Sequence, residues 1–145
     1  MYKNILVAID ESEMSQSVLN TTLRIAESCF PTVTLLFVGR EFLPLTPGEV
    51  YVTKTYLEEL NSKEQERGMW MLGKYNTQLK SNGITAEEVF LQGDPAKQIL
   101  QYAKDKNQEM IIIGSRGLSG IKEMLLGSVS HKVSQLANCP VLIVH

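Results

Sequence analysis

Four short runs of apolar residues constrain the fold of this chain more than any other feature of its sequence. They cover residues 5–9, 33–38, 110–113 and 141–144. Continuous apolar runs of this length are typical of strands that are covered on both faces of a parallel sheet. The segments between them carry the periodicity of helices, so the sequence predicts an α/β protein: an open five-stranded parallel sheet with helices on both faces.

The segments between the runs predict where the helices begin and end. We expect helices over about residues 12–29, 53–80 and 128–136, and another that opens at Asp94-Pro95. Asp94 can cap that helix, and Pro95 suits its first position. A stretch with a charged start, residues 87–91, is predicted to be the fifth and more peripheral strand. Residues 39–52, rich in proline and glycine, are predicted to be a loop longer than a simple connection needs.

The charge balance and the cysteine count exclude several classes of protein. The 145 residues suit one domain, residues 1–145, with a formal net charge of −2. That balance argues against a general binder of nucleic acid or of acidic membranes, because such proteins are normally basic. Two distant cysteines predict neither a disulfide framework nor a metal site. Reduced cysteines, the lack of a signal-peptide pattern and the lack of an apolar stretch of about 20 residues favour the cytoplasm.

A glycine-rich motif follows the third apolar run directly. Gly114-Ser115-Arg116-Gly117 is separated by nine residues from Gly127-Ser128, where the last helix is expected to begin. Glycine lets a backbone approach a ligand closely, and the N–H groups at the start of a helix attract phosphate. The N–H groups of this loop and the side chain of Arg116 are therefore candidates for holding phosphates.

Two further residues are expected at the same end of the sheet. Asp10 follows the first apolar run and Val38 ends the second, and ligands of open parallel sheets bind beyond the carboxyl ends of the strands. The Asp10 carboxylate could accept hydrogen bonds from a ribose hydroxyl, and the Val38 backbone could bond the edge of a base. Asp10 and Ser128 could instead act as helix caps, and for Asp10 the two roles are compatible.

Other readings of the chain are weaker. The sequence has neither the Walker pattern Gly-x4-Gly-Lys-Ser/Thr nor the dinucleotide fingerprint Gly-x-Gly-x2-Gly, so fast phosphoryl transfer is not expected. Ser130 and His131 lack an acidic partner for nucleophilic catalysis, and no catalytic residue or protein metal ligand is predicted. The charged residues of the long helix, Glu64 and Arg67 among them, are expected on a solvated face.

The chain resembles the universal stress proteins over essentially its full length. The resemblance is carried by Ile5 to Asp10, by Leu35 to Val38, by Gly93-Asp94-Pro95 and by Cys139 to Val144. Its most specific part is Gly-x2-Gly-x9-Gly-Ser, which marks the ATP-binding branch of that family and is matched by Gly114, Gly117, Gly127 and Ser128.

The resemblance implies a Rossmann-like sheet of order 3-2-1-4-5 and a homodimer formed through the last strand, residues 141–145. It implies that Asp10 and Val38 contact ribose and adenine and that the motif holds the phosphates. The expected function is a stress-response regulator that binds ATP, with ADP or AMP as alternatives, and with Mg²⁺ or Mn²⁺ held through the phosphates. Two other functions stay open: a dimeric protein-interaction module that uses the long helix and the loop before it, and a slow metal-dependent ATPase.

Overall fold

A computed structural model describes residues 2–44, 53–117 and 126–145. The strands and helices within these residues, in chain order, are β1 (Asn4–Ile9), α1 (Met14–Cys29), β2 (Thr32–Gly39), α2 (Lys54–Ser81), β3 (Ala86–Gln92), α3 (Pro95–Asp105), β4 (Met110–Gly114), α4 (Ser128–Leu136) and β5 (Val141–Val144). Most of the predicted loop 39–52 lies outside the described residues, as do residues 118–125 of the glycine motif's spacer.

The five strands form one parallel sheet in the order β3-β2-β1-β4-β5, which confirms the predicted fold class. β1 is central: Val7 pairs with Leu35 of β2 on one side and with Ile112 of β4 on the other. The strand order therefore reverses between β1 and β4. In sheets of this kind the reversal opens a crevice at the carboxyl ends of the two strands.

Each face of the sheet is covered by two helices. The side chains of Ile5, Val7 and Ile9 pack under α1 and α2, whereas Leu6 and Ala8 pack under α3 and α4. Successive side chains of a strand point to opposite faces, so burial of both faces requires an unbroken apolar run rather than an alternating one. Among the described residues no helix is both long and apolar enough to cross a bilayer.

Local capping explains two of the helix boundaries. The Asp94 side chain accepts a hydrogen bond from the Lys97 N–H at 2.9 Å, and Pro95 is the first residue of α3, as predicted. α1 begins at Met14 rather than near Ser12. The reason is that Asp10 holds the preceding residues in a turn, since Ser12 donates both its backbone N–H and its hydroxyl to Asp10 Oδ1.

Candidate functional site

A cavity of about 1000 Å³ lies at the carboxyl ends of β1, β2 and β4. Its walls come from these strand ends, from the first turns of α1 and α4, from the middle of α2 and from the start of α3. The structure brings all the residues that the sequence singled out for a ligand to this cavity: Asp10, Val38, Gly114, Arg116, Gly117, Gly127 and Ser128.

The two halves of the glycine motif meet at the carbonyl oxygen of Ser115. That oxygen accepts a hydrogen bond from the Gly127 N–H at 2.6 Å and another from the Ser130 hydroxyl at 2.9 Å. A Cβ atom on residue 127 would lie 3.3 Å from the same oxygen, so a side chain there would crowd the contact. Glycine at this position therefore allows the segment after β4 and the start of α4 to form one continuous wall of the cavity.

Helix α4 points its first turn at the cavity. Gly127 is the N-cap residue, with no side chain to bond the helix N–H groups, and Ser128 is the first helical residue. The alternative that Ser128 caps the helix is therefore wrong. Ser128, Val129 and Ser130 all line the cavity. The N-terminal N–H groups of a helix carry partial positive charge, so this wall is suited to an anion.

Asp10 is not the N-cap of α1, as the sequence allowed, because Glu13 takes that position; Asp10 instead holds the turn that precedes the helix. Its Oδ1 accepts hydrogen bonds from the Ser12 N–H at 2.8 Å and from the Ser15 hydroxyl at 3.1 Å, which fixes the turn before α1. Its Oδ2 faces Gly117, where an added Cβ would lie 2.9 Å away. One carboxylate oxygen is thus structural, and the other lies next to the glycine motif. Burial, helped by the negative charge of Asp10, raises the pKa of the nearby Tyr75 phenol, which stays neutral.

The end of β2 offers backbone to the cavity. Pairing between β1 and β2 stops at Ile9 and Phe37, whereas β2 continues beside β3 through Val38 and Gly39. Within the described residues the β1 side of Val38 therefore has no neighbouring strand, and Val38 lines the cavity. A planar ligand edge could take the place of the missing strand there.

One residue at this end of the cavity, Glu64, contradicts the prediction of a solvated face, whereas Arg67 is exposed as predicted. Glu64 is only 8% exposed, and its Oε1 accepts hydrogen bonds from the Arg40 N–H at 3.0 Å and from Arg67 Nη2 at 2.5 Å. Arg67 also contacts Glu11, and all three side chains line the cavity. The signal was available: Glu64 precedes Gly68 and Leu72 at intervals of four, on the inward face of α2.

The described residues contain no group of three or more His, Cys, Asp or Glu side chains placed to hold a metal ion. The polar groups at the cavity are instead backbone N–H groups, hydroxyls, the carboxylates of Asp10, Glu11 and Glu64, and the guanidinium groups of Arg40, Arg67 and Arg116. Such a set favours an anionic ligand that also carries hydroxyl groups.

Comparison with known proteins places the chain among relatives of the same size. It is 42% identical to the universal stress protein YxiE of Bacillus subtilis over 147 aligned positions that cover 99% of each chain. The solved structure of the Methanocaldococcus jannaschii protein MJ0577 is 30% identical, with a TM-score of 0.85 and coverage of 99% and 96%. Universal stress protein UspA from Lactobacillus plantarum has a TM-score of 0.87 at 23% identity, with coverage of 99% and 98%.

Two further structures with this fold were solved with nucleotides. One is a universal stress protein in complex with cAMP, at 24% identity and a TM-score of 0.72 over 99% of this chain and 97% of that one. The other is a family protein from Arabidopsis thaliana with AMP bound, at 21% identity and a TM-score of 0.71 over 98% and 90%. The model of the universal stress protein family matches residues 1–145. The chain therefore belongs to the universal stress protein family.

Proposed function

We propose that this protein binds an adenine nucleotide, with ATP as its preferred ligand, and acts as a nucleotide-linked regulator of a stress response in the cytoplasm. The observation that carries the proposal is the meeting of three ligand-binding elements in one cavity. The cavity is lined by Asp10, by the β2 edge at Val38 and by the described residues of the glycine motif, which are Gly114, Arg116, Gly117, Gly127 and Ser128.

The phosphates lie against the glycine motif. The first turn of α4 has an N-cap without a side chain, so its N–H groups can donate to phosphate oxygens. Gly117 has no side chain to keep the ligand from the backbone, and Gly114, Arg116 and Ser128 line the same wall. Hydrogen bonds to the Ser115 carbonyl hold the two halves of the motif together on this wall of the cavity.

The nucleoside lies between Asp10 and Val38. Asp10 keeps Oδ2 beside Gly117 while Oδ1 is bonded to the turn, so Oδ2 is the oxygen that a ribose hydroxyl would reach. The Val38 backbone bonds the edge of the base on the side where β1 has ended. The family structures with AMP and cAMP support the choice of adenine.

Binding rather than turnover is the principal activity that we propose. The cavity has carboxylates, but Asp10 Oδ1 is bonded to Ser12, and Glu64 is bonded to Arg40 and Arg67. Asp10 Oδ2 is assigned to the ribose hydroxyl and Glu11 contacts Arg67, so none of the three carboxylates is assigned as a general base. Mg²⁺ or Mn²⁺ would be bound through the phosphates and would offset their charge, and any hydrolysis of ATP would be slow.

Isothermal titration calorimetry tests the proposal. ATP, ADP and AMP are titrated with and without Mg²⁺, and GTP with the same phosphates serves as the control for the base. We expect ATP to bind more tightly than AMP, because the motif contacts more phosphate oxygens, and more tightly than GTP. A protein that binds none of the three adenine nucleotides at millimolar concentration would overturn the proposal.

We further propose a homodimer formed through β5. Among the described residues β5 pairs only with β4, so its other edge lies open at the end of the sheet. The strand is short and apolar, and an unpaired edge of that kind is a template for pairing with a second copy. Light scattering at micromolar concentration measures the mass of the protein in solution and distinguishes a dimer from a monomer.

A further inference from the structure

The backbone of residues 40–42, which we call the wall segment, is held by side chains instead of by a neighbouring strand. Asn61 of α2 makes two of these bonds: the Phe42 N–H donates to Asn61 Oδ1 at 2.9 Å, and Asn61 Nδ2 donates to the Phe42 carbonyl at 3.0 Å. Glu64 accepts from the Arg40 N–H at 3.0 Å, and Gln92 Nε2 donates to the Arg40 carbonyl at 3.1 Å.

Three side chains thus make hydrogen bonds to four backbone groups of the wall segment, which follows the end of β2. Loop backbone near the protein surface normally bonds water, which holds it in no particular conformation. Here one of the three partners is a buried carboxylate, and burial of a charge is costly unless it is paired. Arg67 pairs with Glu64 and lies 6.0 Å above the Phe37 ring, so the charge is compensated on the cavity wall.

The wall segment continues directly from Val38 and Gly39. Val38, Gly39, Arg40 and Phe42 all line the cavity, at the end opposite α4. The Arg40 guanidinium lies 5.9 Å from the Phe42 ring, which adds a second contact within the segment. A shift of this backbone would move the edge of Val38 relative to the rest of the cavity.

We propose that Asn61, Glu64 and Gln92 are positioning residues that hold the wall segment in the shape that receives the base of the nucleotide. The inference rests on the proposed function, since it assigns the base to the Val38 end of the cavity. None of the three residues has to touch the ligand. They act through the backbone of residues 40–42, as supporting side chains commonly do around a binding site.

Helix α2 supplies a closely matched control. Asn76 makes the same pair of bonds to a backbone: its Nδ2 donates to the Ala86 carbonyl at 3.1 Å, and the Ala86 N–H donates to its Oδ1 at 3.2 Å. Asn76 lies 15 residues after Asn61 on the same helix but holds the start of β3, and it is absent from the cavity wall. Asn61→Ala and Asn76→Ala therefore remove the same pair of backbone hydrogen bonds from two places, and Asn61→Ala also removes the bond that Gln92 Nε2 donates to Asn61 Oδ1 at 3.3 Å.

The experiment compares the ATP affinities of the two variants and of the unchanged protein. Inorganic tripolyphosphate, which has phosphates but no base, is measured by competition with ATP. We expect Asn61→Ala to weaken ATP roughly 10-fold or more and tripolyphosphate by less than about twofold. We expect Asn76→Ala to lower stability to urea and to leave the ATP affinity within about twofold. If Asn61→Ala does not fold, Gln92→Ala replaces it with the same expectation.

The outcomes separate this inference from the proposed function. If the unchanged protein binds no adenine nucleotide, the proposed function fails, and the inference falls with it. If it binds ATP and Asn61→Ala binds equally well, only the positioning role is overturned. Equal weakening of ATP and tripolyphosphate, or equal weakening of ATP by Asn61→Ala and Asn76→Ala, would also overturn it, because either result indicates general loosening of the fold.

Discussion

Asp10 and Gly117 approach each other so closely that a Cβ atom on residue 117 would lie 2.9 Å from Asp10 Oδ2. The two residues are 107 positions apart in the chain and belong to the loops after β1 and β4, the two strands between which the order of the sheet reverses. The contact therefore ties the carboxylate proposed for ribose to the loop proposed for phosphates. A ligand that uses both elements must fit a space in which residue 117 contributes backbone alone.

Gly117→Val is expected to abolish binding of ATP. The added side chain would push against Asp10, whose carboxylate is held by Ser12 and Ser15, and would occupy the space of the phosphates. Gly73→Ala is the control, because a Cβ there meets nothing closer than Glu88 Oε1 at 3.6 Å. Calorimetry with ATP checks both variants, and light scattering should show the mass of the unchanged protein. Wild-type affinity in Gly117→Val would mean that the glycine motif is not the site.

Asp10→Asn should remove the preference for a ribose hydroxyl. The amide can still accept from Ser12 through its oxygen, but it no longer presents a second acceptor to the ligand. We expect the unchanged protein to bind ATP about 10- to 150-fold more tightly than the deoxy analogue, 2′-deoxy-ATP or 3′-deoxy-ATP, that lacks the hydroxyl bonded to Asp10, which is the scale of a charged hydrogen bond. In Asp10→Asn that difference should disappear. If Asp10→Asn still prefers ATP to the deoxy analogue, another residue binds the ribose hydroxyl.

The sequence predicts those parts of the fold that depend on local chemistry. The central strands can be predicted because burial on both faces requires unbroken apolar runs. Helix α3 can be predicted because Asp94 and Pro95 mark its start. In the structure α1 begins two residues later than the sequence predicts. A run of cap-forming residues does not reveal that Asp10 bonds to Ser12 and delays the helix.

The sequence predicts which residues line the candidate site but not which residues support it. Asp10, Val38 and the glycine motif each follow an apolar run, so the rule for parallel sheets places them at one edge. Glu64 was assigned to solvent because its partner is the N–H of Arg40, 24 residues away, which no side-chain pattern encodes. Arg67 likewise reaches Glu11, across 56 residues. Long-range bonds between side chain and backbone become visible only when the fold is known.

Gly68→Ala should destabilise the protein, and Gly73→Ala on the same helix should not. A Cβ on residue 68 would lie 2.4 Å from the Phe90 ring and 3.1 Å from Phe37, two rings that stack 6.2 Å apart. Overpacking of this kind costs about 1–3 kcal/mol. At residue 73 the space is open, and alanine is a better helix former than glycine by about 1 kcal/mol. Urea denaturation measures both changes, and a stable Gly68→Ala would show that α2 can move off the sheet without cost.

Glu109→Gln should lower stability at neutral pH and have little effect in acid. Glu109 Oε2 accepts hydrogen bonds from the N–H groups of Lys3 at 2.5 Å and Asn4 at 2.9 Å, and these bonds hold the pKa of the carboxyl below its usual value. Because the pKa is lower in the folded state, the ionised carboxyl stabilises the protein at pH values above the pKa of the unfolded state. That contribution is lost as the pH falls through the pKa of the folded state. Urea titrations at pH 7 and at successively lower pH values measure whether the loss of stability caused by Glu109→Gln shrinks in acid. If the difference in the free energy of unfolding between the unchanged protein and Glu109→Gln grows in acid, the role given to the Glu109 carboxylate is wrong.

Ile143→Pro should convert the proposed dimer into a monomer and leave nucleotide binding in place. The Pro140 carbonyl accepts a hydrogen bond from Ile111 of β4, and the Val144 carbonyl accepts one from Ser115, the residue after β4. The N–H of Ile143 is one residue out of phase with these groups, so it points to the open edge of the sheet. Proline removes that donor and is tolerated at an edge position of this kind. Light scattering measures the mass, and calorimetry with ATP shows whether the cavity is intact, since Ile143 does not line it. A dimer that persists in Ile143→Pro would place the interface on another surface.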